Sequence, residues 1–200
     1  KKVAALGVPG KNDWNVVHNI FPWIWAAGGS VMSEDNKSVI FNDEKGIKGA
    51  MYYTGLAHDG LVDKASLEKN SSQIESDFGD GKSAVIITGA WLAKSFATPK
   101  DDGGMSDKAA AKNFAVAPLP AGPGGQVTFI GGSDLTVFSG SKHKDETWEL
   151  IKFLSTDEAQ HAYAQASGQL PSKNSLLDAP DLDANMKAFS AATKYGKAYP

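Results

Sequence analysis

The chain has no cysteine, so a disulfide frame, a thiolate nucleophile and a Cys-based zinc site are all excluded, while the redox compartment stays open. No apolar run comes near the roughly 20 residues that a bilayer-crossing helix needs. Neither a signal-peptide pattern nor a lipid-accepting cysteine supplies an address. Basic residues form no block or stripe, and with a formal charge of -3 the sequence offers no electrostatic footprint for nucleic acid. A nucleophile elbow, an H-E-x-x-H helix and a dinucleotide fingerprint are missing as well, so no catalytic pattern marks the chain as an enzyme. One near miss, Ser76 to Ser83 (SDFGDGKS), ends like a phosphate-binding loop but begins with Ser where Gly is required. Its order is also reversed: a helical pattern precedes Gly79 and a β-branched strand, Ala84 to Thr88, follows, whereas phosphate needs a strand, a loop and then a helix N-terminus.

What is present points to an α/β protein. The 200 residues can bury a sizeable core in one or two domains. Aromatics make up 10%, with five Trp, and because an indole N-H wants a partner when buried, the surplus suggests a ligand surface. Val3 to Val8 reads as a strand leaving through Pro9 and Gly10. Asn12 or Asp13 can cap the helix that follows, which carries Trp14, Val17, Phe21 and Trp25 on one side, with Pro22 as a kink and Gly28 and Gly29 as its end. Met32 to Phe41 fits two short strands about a turn at Glu34 to Asn36. Asn42 then caps a helix through Ile47, Ala50, Met51 and Thr54 that closes near Gly60, with His58 a structural residue at its end. Ser72 and Glu75 have capping-box spacing ahead of a helix burying Ile74 and Phe78. Thr98 to Asn113 is a polar loop with a short turn at Lys108 to Lys112, and Phe114 to Leu119 is strand-like before a Pro- and Gly-rich stretch.

From Phe129 to Ser172 the pattern is denser. Gly131 and Gly132 lead into an alternating run, Leu135 and Val137, expected to be a strand with one face inward. A helix starting near Ser141, with Asp145 and Glu146 in its first turn, presents Trp148, Ile151 and Leu154 as a buried stripe that Leu150 and Phe153 widen. Ser155 and Glu158 have capping-box spacing for the next helix, whose apolar face is Ala159, Ala162, Tyr163 and Ala166 and whose end is Gly168. Pro180 precedes a last helix carrying Leu182, Met186 and Phe189. Pattern alone is equally consistent with any strand, helix and helix of an α/β protein.

The run GGSDLTVFSGSKHKDETWELIKFLSTDEAQ followed by GQLPS resembles the matching segment of extracellular solute-binding proteins of carbohydrate ABC importers, the family that includes maltose-binding protein. Phe78 to Trp91 (FGDGKSAVIITGAW) and Phe114 to Pro120 (FAVAPLP) agree with it in order and spacing, so the resemblance covers nearly the whole chain. It implies a two-lobed, type II periplasmic-binding-protein-like fold cut short at both ends. One lobe, nearly complete, would be residues 1–118 plus 171–200; residues 119–170, including a hinge crossing, would belong to the partial other lobe. It also implies a carbohydrate ligand, membrane permease subunits as partners, a monomer, no cofactor and no metal, and a bacterial extracellular location, periplasmic or lipid-anchored.

Under this resemblance the ligand-binding residues are Trp14, Asn15, His18, Trp91, Gly131, Gly132, Ser133 and Asp134. Sugars offer apolar C-H faces edged with hydroxyls, which an aromatic plane and a ring of polar groups complement, and a stiff aromatic loses little entropy on binding. Glycines let the backbone approach a ligand, and a carboxylate such as Asp134 would be costly to bury without such partners. Tyr195 and Tyr199 are lesser candidates at the rim, and Trp23 and Trp25 read as core. The rival roles are also ordinary: Trp91 as a core residue of its helix, Asp134 as a solvated residue of a bulge. A binder of a non-sugar solute, or a carbohydrate-active enzyme in which Asp13 and Asp134 converge as a carboxyl pair, are the alternative functions.

Overall fold

The computed structural model describes residues 3–10 and 13–198, so the capping role of Asn12 and the rim candidate Tyr199 lie outside the described residues. A parallel pair of strands is the frame. β1 (Ala4–Gly7) pairs with β2 (Ser83–Ile86) in the register Ala4 to Ser83 and Leu6 to Val85, and Leu6 also bridges Val62 in parallel. Parallel neighbours need crossovers, which three helices supply: α1 (Val16–Ala26), α2 (Glu44–His58) and α3 (Ser71–Gly79).

Helix α1 runs through Pro22, whose side chain is fully buried, and ends in a Schellman turn. Gly28 at φ 86° donates to the Trp25 carbonyl at 2.8 Å, and Gly29 to that of Ile24 at 3.0 Å, as this motif requires. Helix α2 crosses α1 so closely that a Cβ on Gly49 would lie 2.4 Å from the Trp23 carbonyl oxygen. Only glycine tolerates that approach. Ile24, Trp25 and Val31 form one buried cluster here, with Phe129 packed against it, while Val8, Tyr53 and Val62 form another with Trp23 at its edge. The core assignments of Trp23 and Trp25 therefore hold.

Helix α4 (Trp91–Ala97) follows β2, and its Phe96 stacks on Phe78 of α3 and meets Phe114 edge-on, at centroid distances of 6.1 and 5.2 Å. Phe114 to Leu119, expected as a strand, carries none; β3 (Thr128–Phe129) is short and pairs in parallel with β4 (Gly196–Lys197). Beyond it come α5 (Lys144–Leu154), α6 (Asp157–Ser167) and α7 (Ala184–Ala192). The last two share a small core of Ala164, Leu182 and Met186.

Several expectations need correction. The helix after residue 42 is capped by Asp43, whose Oδ1 accepts from Gly46 N at 2.6 Å, and α3 by a capping box of Asn70 with Gln73 instead of Ser72 with Glu75. Thr156, not Ser155, caps α6, while the Ser155 hydroxyl donates back to the Ile151 carbonyl. The run at Leu135 and Val137 forms no strand, and Leu135 and Phe138 are exposed. Most consequentially, α5 forms as expected but buries none of its residues; Trp148 keeps 54% of its surface exposed, and Leu150 and Phe153 are similarly open. On α6 the buried residue is Ala164, while Ala162, Tyr163 and Ala166 face outward.

Candidate functional site

In an open parallel sheet, ligands settle outside the carboxyl ends of the strands, where loops diverge and backbone groups are unspent. Here the carboxyl end of β1 leads through Pro9 and Gly10 to Asp13 and Trp14, and that of β2 leads through Thr88 and Gly89 to Trp91. Because β1 and β2 are paired, both candidate tryptophans leave from the same edge of the frame.

The two loops are braced to one another through α3. Asp13 Oδ1 accepts from Asn15 N at 2.7 Å, and its Oδ2 accepts from the backbone N-H of Ser71, the first residue of α3. A carboxylate there meets an orphan amide and the positive end of the helix dipole. Burial pushes the Asp13 carboxyl up, and the N-H bonds from Ser71 and Asn15 more than offset this, leaving it below the usual carboxylate range. One turn along α3, Glu75 Oε1 accepts from Trp91 Nε1 at 2.9 Å and from Thr88 Oγ1 at 2.7 Å. Ser71 and Glu75, four residues apart, lie on one helix face. Trp91 is 46% exposed, so it is no core residue, and its indole is held at both ends. The N-H is on Glu75, while the six-membered ring folds over Gly89, where an added Cβ would sit 1.9 Å from Cζ3. Gly168, at φ 73°, lies beside the start of α4, where an added Cβ would sit 3.3 Å from the Trp91 Cα, and it brings the GQLPS turn to this side.

On the other loop, Trp14 is 74% exposed and meets His18 edge-on at 4.9 Å. His18 in turn stacks on Phe129 at 3.9 Å and nearly parallel, and its Nδ1 lies 2.9 Å from Asn15 Oδ1. Burial pulls the His18 pKa down, partly countered by Asp13, with a net lowering. Helix α1 begins only at Val16, so Trp14 and Asn15 sit in the turn before it.

The structure thus brings Trp14, Asn15 and His18 together and links them through Asp13 and α3 to Trp91. Gly131 follows Phe129 by two residues, but Gly131, Gly132, Ser133 and Asp134 are all exposed in irregular chain. Among the described residues, Ser133 and Asp134 make no hydrogen bond to the aromatic groups. Lys197, from the tail beyond Tyr195, lies 5.3 Å over the Trp25 ring.

Three residues were not marked as candidates in the sequence. Glu75 reads there as a capping residue, Phe129 as the first letter of a motif, and Ser71 as nothing in particular. Only a carboxylate four residues past the first residue of α3 would have been a signal. The phosphate-loop near miss is a structural clamp: Lys82 pairs with Asp77 at 2.6 Å and Asp80 at 3.5 Å, and Asp77 also holds Lys69. A cavity of about 400 Å³ lies between Val8, Val16, Tyr53, Ala57, Val62 and Leu67 and holds none of the candidate residues. With its nearly all-carbon wall it is an opening in the core, not a cleft for a polar ligand. No cluster of His, Asp or Glu suited to a metal ion occurs among the described residues.

The profile of the bacterial extracellular solute-binding proteins matches residues 1–161. The diacetylchitobiose-binding protein of Streptomyces coelicolor is 26% identical over 94% of the chain, which covers 42% of that protein. The galactooligosaccharide-binding protein of Bacillus subtilis is 28% identical over 70% of the chain and 31% of its own length. In structure, maltose-bound MalE3 of T. maritima superposes with a TM-score of 0.79 at 19% identity, covering 99% of this chain and 50% of that one. The chain spans less than half the length of these curated relatives.

Proposed function

Since this chain belongs to the bacterial extracellular solute-binding proteins, with the type II fold represented in part, we propose that it is the substrate-binding component of an ABC importer and captures a sugar or oligosaccharide. The observation that carries the reading is the pair of exposed indoles, Trp14 and Trp91, set at the carboxyl ends of two paired parallel strands and braced through one helix by Asp13 and Glu75. Ringed by Asn15, Thr88 and two carboxylates, such platforms suit a ligand with apolar faces and hydroxyl edges. The sugars bound by the relatives and the structural neighbour point the same way.

In this reading Gly131 to Asp134 complete the site when the lobes close, a hinge motion typical of periplasmic binding proteins. Residues 1–118 with 171–200 form one lobe and residues 119–170 part of the other; the unburied helix α5 is in keeping with a lobe represented only in part. Closed and loaded, the protein would dock as a monomer on permease subunits, held extracellularly by a lipid anchor or in a periplasm. It would leave its ligand chemically unchanged and need no cofactor.

Titration of tryptophan fluorescence with maltotriose, galactobiose and N,N′-diacetylchitobiose, followed by product analysis, tests this. A saturable change without turnover is the expected result, with micromolar affinity, about -8 kcal/mol, requiring only a stacked ring and several satisfied polar contacts. Release of monosaccharide would overturn the transport reading.

A further inference from the structure

The Trp91 platform has a charged edge. Glu75 is the side chain that meets the indole N-H, and both of its internal donors, Trp91 Nε1 and the Thr88 hydroxyl, converge on one carboxylate oxygen, Oε1. Among the described residues no donor meets Oε2. Asp13 differs, because each of its oxygens already accepts a backbone N-H. A sugar stacked on an indole projects its hydroxyls past the ring perimeter, and at the pyrrole side of Trp91 the carboxylate of Glu75, with Oε1 on the indole N-H, is an acceptor beside that edge.

The cationic inventory points in the same direction. All 20 Lys and Arg positions of the chain are lysine, so this chain supplies none of the planar, bidentate partners that best recognise a carboxylate. Lys94, one turn along α4, packs its Cβ against Gly168.

From these observations we propose that Glu75 determines specificity at this platform: it holds the Trp91 plane through Oε1 and presents Oε2 to a ligand hydroxyl, selecting neutral saccharides over those carrying a carboxylate at that edge. The inference rests on the saccharide reading above. A neutral sugar donates an O-H to Oε2 and gains a charge-assisted bond. A uronate brings a like charge to the same place, and this chain offers no arginine to offset it.

The test uses the intact protein and, of maltotriose, galactobiose and N,N′-diacetylchitobiose, the sugar it binds most tightly, compared with the same sugar oxidised to a carboxylate at C6. Wild-type protein should bind the neutral form at least about tenfold more tightly. Glu75→Gln keeps an acceptor oxygen for the Trp91 N-H but removes the charge, so the ratio should narrow towards one. Equal affinities in the wild-type protein would overturn the proposal without any variant. A ratio that Glu75→Gln leaves unchanged, in protein whose melting temperature matches wild type, would overturn it too. If none of the three neutral sugars binds wild-type protein, it is the saccharide reading that fails, and the two failures are told apart by that first titration.

Discussion

Single residues decide how the platforms sit. Trp91 is half exposed and its indole is pinned between Glu75 and the bare backbone of Gly89. Truncating it should therefore cost little fold stability but about 2 to 4 kcal/mol of ligand binding, the scale of an interface hot spot; calorimetric titration of Trp91→Ala beside its melting curve checks both halves. Gly89→Ala should weaken binding as well, because the new methyl occupies the space of the six-membered ring and swings the indole aside while the end of that flexible side chain absorbs the clash. On the Trp14 side the sensitive group is His18. Burial lowers its pKa, so the folded protein takes up this proton less readily than the unfolded chain. The stabilising contribution of neutral His18 is complete above the unfolded value of about 6.5 and is lost as pH falls through the lower folded value. An NMR titration should place the His18 ring midpoint below 6.5, and His18→Gln should flatten the decline of melting temperature with acid in that window. A midpoint above 6.5 would refute this.

At the scale of elements, caps and packing faces divide the readable from the unreadable. Asp43 holds the first turn of α2 through Gly46 N, so Asp43→Ala should lower stability by about 1 kcal/mol, measurable by urea unfolding, while Asn42→Ala should do far less. Adjacent Asn, Asp and Ser side chains are nearly equivalent as caps by type, which is why the order of residues located α2, α3 and α6 but missed the capping residue by one or two positions. Strand and helix order through Trp91 was legible because β-branched runs and helical spacing do not overlap there. The Trp14 and Trp91 loops were legible largely through the family likeness. Their bracing was not: a contact between Asp13 and Ser71 spans 58 positions in sequence, and no local pattern encodes it. Helix α5 was recognised from the spacing of Trp148, Ile151 and Leu154, yet spacing announces an apolar face without saying what covers it. Ala164, fully buried on α6 against Leu182 and Met186, shows the opposite case, a small residue whose importance only packing reveals. Ala164→Leu should overfill that core at a cost of about 1 to 3 kcal/mol.

Across the whole molecule, stability is expected to be uneven. The clusters around Ile24, Trp25 and Val31 and around Val8, Tyr53 and Val62 knit α1, α2 and the strand frame together. Amides there should exchange most slowly with deuterium, while those of α5, which has no buried residue, should exchange orders of magnitude faster in native-state mass spectrometry. Equal protection in both regions would contradict the architecture described. Residues 130–143, between β3 and α5, carry neither strand nor helix, and Lys142 there and Lys144 at the start of α5 are open to solvent. A brief tryptic digest should enter at that point before anywhere in the α1 and α2 body, and the fragment ending there would carry both tryptophan platforms with it.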